Sequence, residues 1–259
     1  MIGNWWQGLR RRREARAVTR RTVPDALWDA CVAALPFVAA RPTDQREHLR
    51  RMVSLFLDRK EFSGAQGFVV TDEIALAVAA QACLPVLELG VDCYDGFVGI
   101  VMHRDPVRAP REQMDEHGVV HAWDEELAGE AMEGGPLMLS WADVLAEGDA
   151  GDTAYNVVIH EFAHVLDMRD GVADGVPLLP SAAERRAWTE VLMPEYDRFC
   201  ERVVCGHETV MDPYAAEAPD EFFAVASETF FVTPRALKEE QPATYRLLAS
   251  YYRQNPSAY

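Results

Sequence analysis

Apolar and polar residues alternate along this chain with two periods, one near 3.6 and one near 2. Leu27, Cys31, Ala34, Leu35 and Val38 recur at helical spacing behind Pro24, a residue suited to a first helical turn, until Pro42 breaks the pattern. A second helix is predicted from Asp44 to about Arg59, capped by Thr43 and burying Leu49, Met52, Val53 and Phe56. Gly67–Val70 reads as a short strand, and Asp72 as the cap of a buried helix through Cys83. Leu84–Leu89 and Gly96–His103 are apolar runs expected to be buried and at least partly strand. Residues 104–116, with Pro106, Pro110 and many charges, read as a loop. Gly118–Trp123 and Pro136–Trp141 read as strands, separated by an acidic connector containing Gly129, Gly134 and Gly135. If the second strand formed the sheet edge, its free backbone groups would bind an extended peptide by strand addition.

From Val157 the period is helical again. Val158, Ile159, Phe162, Val165 and Leu166 lie on one side of a helix through Asp167, and Asn156, His160, His164 and Asp167 on the other. Ser181–Val204 is a long helix, Gly206–Pro219 a loop, and about Asp220–Phe231 a further helix; Pro234 and Pro242 start shorter ones. Helices interspersed with a few short strands give an α+β fold with a small mixed sheet.

Composition narrows what such a fold can do. At 259 residues and 49% hydrophobic content the chain can bury a substantial core. A formal net charge of −17 argues against nucleic acid as a partner, because phosphate contacts need a basic surface. The first 21 residues are the exception, with seven arginines against Glu14. Residues 1–22 are therefore read as a basic, solvated arm, and 23–259 as one domain in which a helical N-terminal lobe, 23–60, packs on the rest. The apolar run Ile74–Leu87 is interrupted by Gln81 and Pro85 and is too short for a membrane span. Trp5, Trp6 and Trp28 are read as packing residues. Five cysteines in no dense framework suit reduced thiols, and Met1–Trp6 leads into arginines without a signal-peptide core, so a cytoplasmic location is expected.

The chemistry centres on His160-Glu161-Phe162-Ala163-His164. One helical turn stacks the two imidazoles, and Glu161, a quarter turn round, can approach a metal-bound water without ligating the ion. Catalytic zinc usually takes three protein ligands, so a further donor is required. No third histidine follows His164 closely, and Glu221, Glu228 and Asp220 on the later helix all compete for the place. Asp167, and equally Glu228, are suited to orienting a ligand imidazole rather than binding metal. His117 with His121, and Cys200, Cys205 and His207, lack the paired spacing of a structural zinc site.

His160-Glu161-Phe162-Ala163-His164-x-Leu166-Asp167-Met168-Arg169, Gly175-Val176-Pro177, Asp212-x-Tyr214-Ala215-Ala216 and Glu221-x-Phe223-Ala224-Val225-x-Ser227-Glu228 resemble the Mlc titration factor A family. Upstream, Gln66-Gly67-Phe68, Cys83–Gly90 and Asp95-Gly96-Phe97 resemble it too, so that the likeness spans residues 60–255. The resemblance implies a zinc aminopeptidase with a zincin-type, gluzincin-like catalytic domain similar to that of anthrax lethal factor. It implies that His160, His164 and Glu221 bind Zn2+, that Glu161 is the general base and that Tyr214 faces the metal. Tyr214 is then placed to donate its hydroxyl to a developing oxyanion; without the resemblance it reads as a loop tyrosine packed on the core. The implied partners are a peptide substrate and, since the family is named for sequestering the Mlc glucose repressor, a repressor protein of that type. The arginine-rich arm has no counterpart in these motifs.

Overall fold

The computed structural model describes residues 14–114, 120–131, 135–146 and 154–259, and for 108–114 and 120–127 the backbone alone. It begins with a helical segment, α1 (14–20), whose Ala17 is buried and whose Arg20 makes a bidentate pair with Asp58 at 2.8 and 2.7 Å. α2 (Asp25–Ala34), the single turn α3 (Pro36–Ala39) and α4 (Thr43–Arg59) follow. Pro42 occupies the cap position of α4, so Thr43 makes no side-chain cap. Arg50 instead ties the lobe together, donating to the Val23 carbonyl and pairing with Asp25 at 2.5 Å.

β1 (Glu61–Gly64) leads into a tight turn in which Gln66 and Gly67 take φ values of 50° and 80°. A Cβ on Gly64 would lie 1.7 Å from the Phe68 carbonyl oxygen, so only glycine lets the chain double back there. That reversal is why Gly67–Val70 is not the expected strand. α5 (Asp72–Cys83) is capped by Thr71, whose hydroxyl accepts from the Ile74 amide, rather than by Asp72. Leu84–Leu89 forms buried turns, and β2 (Gly99–His103) supplies the strand.

β3 (Val107–Met114) and β4 (Val120–Leu127) pair antiparallel as a separate two-stranded ribbon, so most of the expected loop 104–116 is strand. Both strands of such a ribbon have an outer edge, where a proline like Pro110 is tolerated. The expected strand Gly118–Trp123 begins outside the described residues and is seen from Val120. β5 (Gly129–Ala131) and β6 (Leu137–Ser140) complete a four-stranded sheet of order β1-β2-β6-β5, in which β1, β2 and β6 are parallel and β5 antiparallel. β6 is therefore interior, and the strand-addition role considered for it does not hold. The edge is β5.

α6 (Trp141–Ala146) is a short helix the sequence reading did not contain, and it takes Trp141 out of the expected strand. α7 (Val157–Asp167), α8 (Ala182–Val204), α9 (Pro219–Val232), α10 (Pro234–Glu240) and α11 (Pro242–Tyr252) follow largely as their periodicity predicts. Phe162, on the back of α7, sits among Phe56, Tyr94 and Phe97 with ring centroids 5.7, 4.8 and 5.9 Å away. Burying such a side chain contributes about 2–3 kcal/mol, which anchors the helix by its apolar side and leaves the polar side fixed in space.

Candidate metal centre

α7 starts where Asn156 caps it. The Asn156 side-chain oxygen accepts from the Ile159 amide at 2.8 Å, and its Nδ2 donates to Gln81 Oε1 at 2.5 Å. One and two turns further on, His160 and His164 project from the polar side with Nε2 atoms 3.1 Å apart. α9 brings in the third group. Glu221 Oε2 lies 3.1 Å from His160 Nε2 and 3.5 Å from His164 Nε2. Its other rivals fall elsewhere: Glu228 binds the far side of His160, and Asp220 is outside the cluster.

These three side chains form the group of metal-ligating residues that lie close enough, with donor atoms within 4.8 Å of one another, among the described residues. Their chemistry fits an ion better than it fits hydrogen bonding. Two Nε2 atoms facing each other can share at most one proton, and Glu221 Oε2 is buried without a hydrogen-bond partner. Bonds of about 2.0–2.1 Å in a tetrahedron imply donor separations of about 3.3–3.4 Å, close to the three observed here.

Glu228 orients the first histidine. Its Oε1 lies 2.7 Å from His160 Nδ1, while Oε2 accepts from the Asn156 amide at 2.5 Å. One carboxylate thus fixes both the ring and the start of its helix, and a donor role for Nδ1 leaves Nε2 free to ligate. Asp167, the other candidate for orienting a ligand, does something different: its Oδ2 accepts from the Gly175 amide at 2.8 Å. Burial pulls the His160 pKa down, but the adjacent carboxylates of Glu221 and Glu228 outweigh it and hold the group well above its ordinary value. Burial likewise opposes ionisation of Glu221, yet the two histidines hold its carboxyl far below the usual range. Both shifts reflect the same attraction between the imidazoles and the carboxylates around them.

Glu161 is buried, and burial raises its pKa against the opposing pull of His160 and His164. Its carboxylate lies against β5: a Cβ on Gly129 would come within 2.5 Å of Glu161 Cγ and 2.6 Å of Oε1. This contact was not legible from the sequence, where Gly129 is one of several glycines in a connector. Tyr214 stands in the 3-10 turn Pro213–Ala216, half exposed, with its ring 6.2 Å from that of His160. All five residues singled out from the sequence therefore meet at one place. His117 lies outside the described residues, and Cys200, Cys205 and His207 make no metal-ligating group.

The family described as glucose-regulated metallo-peptidase M90 matches residues 9–253. An uncharacterized protein of Synechocystis is 37% identical over 87% of this chain and 82% of its own length. Mlc titration factor A of Edwardsiella ictaluri is 37% identical over 91% of this chain and 92% of its own, and that of Serratia proteamaculans 36% over 90% and 88%.

Proposed function

The chain belongs to the glucose-regulated metallo-peptidase family M90, and from that premise we propose that it is a zinc-dependent aminopeptidase of zincin type acting on short peptides. The observation that carries this reading is the convergence of His160, His164 and Glu221 on one point, with the Glu161 carboxylate beside them under the sheet edge. Zinc bound there supplies Lewis acidity, polarising a carbonyl and acidifying water. Glu161 takes the proton of the attacking water and returns it to the leaving amine. Tyr214 offers a phenol O–H to the oxyanion that develops on the substrate carbonyl. Among the described residues β5 pairs with β6 alone, which leaves its other side as an edge along which an extended peptide can align. Five free cysteines suit a reducing cytoplasm, and no described helix is long and apolar enough to cross a membrane.

Zinc quantification paired with chromogenic aminoacyl substrates, with and without chelator, tests the proposal. Glu161→Gln is expected to lower hydrolysis by about 100-fold or more while zinc stays bound. Undiminished cleavage by that variant would remove Glu161 as the base.

A second reading comes from the relatives named Mlc titration factor A: a regulatory protein that binds a repressor of the Mlc type, with catalysis secondary. The same Glu161→Gln variant separates the two, because repressor binding, followed by co-elution, should survive the loss of hydrolysis.

A further inference from the structure

Two helices carry the metal centre, and its geometry depends on how they are held against each other. At one end the hold is visible in Glu228 of α9, which grips His160 and the Asn156 amide of α7. At the other end the connection runs through the loop that follows α7. Asp167, the last residue of α7, accepts from the Gly175 amide at 2.8 Å, and Gly175 lies directly against Pro219, the first residue of α9.

We propose that Asp167 and Gly175 are positioning residues for the third metal ligand, a latch that sets how far Glu221 reaches toward His160 and His164. The contact is too close for any side chain. A Cβ on Gly175 would come within 2.3 Å of the Pro219 carbonyl oxygen, 2.8 Å of its carbon and 3.1 Å of Leu192 Cδ2, and Gly175 has a φ of +75°. The two closest obstructing atoms are backbone of the turn that carries Glu221 two residues later, so relief of the clash must move that turn. Gly175 is itself immobilised. Its carbonyl accepts from Trp188 Nε1 at 2.9 Å, and Arg185 ties the loop at both ends, pairing with Asp170 and, at 2.6 Å, with Asp174. Asp167 Oδ1 has no hydrogen-bond partner, which leaves the Gly175 amide as the polar contact of this buried carboxylate. The latch therefore joins the end of the histidine helix to the start of the glutamate helix through one glycine.

The inference rests on the metal-centre reading, and zinc affinity tests it directly by chelator competition on folded protein. Gly175→Ala and Asp167→Ala are expected to weaken zinc by about 10–100-fold, the usual consequence of losing a group that orients a ligand. Asp167→Asn keeps an oxygen for the Gly175 amide and should bind zinc like the wild type. Leu49→Ala, in the core of α4, controls for general loss of stability and should also leave affinity unchanged. In the cobalt-substituted protein, the visible bands of Gly175→Ala should shift toward those of Glu221→Ala. Wild-type affinity in folded Gly175→Ala and Asp167→Ala, or an equal loss in Leu49→Ala, would overturn the latch. If Gly175→Ala does not fold, the Asp167→Ala and Asp167→Asn pair decides alone, and equal affinities in the two would overturn it. A wild type that binds no zinc would instead sink the metal centre itself, and the latch with it.

Discussion

Asp167 carries an energetic penalty that can be read out separately from any role in positioning. Burial pushes its carboxyl up to about 6 from an ordinary 3.8, opposed by the Gly175 N–H and assisted by Asp174. A carboxyl whose folded pKa is raised favours the folded state while it is protonated. Its contribution is complete below the unfolded value and is lost as pH rises toward the folded one. The metal-free protein should accordingly lose about 2–3 kcal/mol of stability from this group between about pH 4 and pH 6. Urea unfolding across that range should show the step in the wild type and not in Asp167→Asn; parallel profiles would mean that the charge is compensated. At this same scale the site was half legible. The two histidines and Glu161 are fixed by helical spacing, because one turn of helix leaves no freedom in which side chains meet. Glu221, Glu228 and Asp220 remained rivals on the residues alone, since all three lie within one helix. Only the packing of α9 on α7 sends Glu221 to the Nε2 side of His160 and Glu228 to the Nδ1 side.

Among the elements, β5 has the most consequence for its length. Gly129 faces the end of a flexible side chain, so Gly129→Ala should displace the Glu161 carboxylate rather than break the fold. The expected result is near wild-type stability and zinc content with turnover lowered by about 100-fold, since a displacement of about 1 Å suffices for such a loss. Wild-type kcat with full zinc occupancy would show that the strand and the base are not coupled. A three-residue strand offers too few positions for a period of two to declare itself, which is why β5 went unseen. β1 is hidden for a related reason: three of its four residues are exposed and Phe62 alone is half buried. The helices α4, α8 and α9 run for 17, 23 and 14 residues, long enough for the apolar stripe to repeat, and their ends fall close to expectation. The order of the sheet is a tertiary property. Nothing in Pro136–Trp141 tells whether a further strand will lie outside it.

At the scale of the whole molecule, the helical lobe 23–60 is bound to the body by contacts that do not resemble a hinge. Phe56 of α4 packs on Phe162 of the metal helix at 5.7 Å. Arg41, between α3 and α4, donates to Gln254 at 2.8 Å and lies over the rings of Phe231 and Tyr259, while Gln254 Nε2 donates to the Leu84 carbonyl at 2.9 Å. One apolar cluster reaches from Val23 to Tyr252 and takes in Val38, Leu49, Phe162 and Phe230. We therefore propose that 23–259 unfolds as one unit, with the lobe serving as the floor on which the metal helix rests. Native-state hydrogen exchange should then give the slowest amides of α4 and α7 the same opening free energy and the same urea dependence, because neither helix can open while the other keeps its partners. Phe56→Ala should lower both together, by about 3–5 kcal/mol for a fully buried ring. Were α4 to open at lower urea than α7, with its exchange alone sensitive to the substitution, the lobe would be a separate folding unit and the metal helix would stand without it.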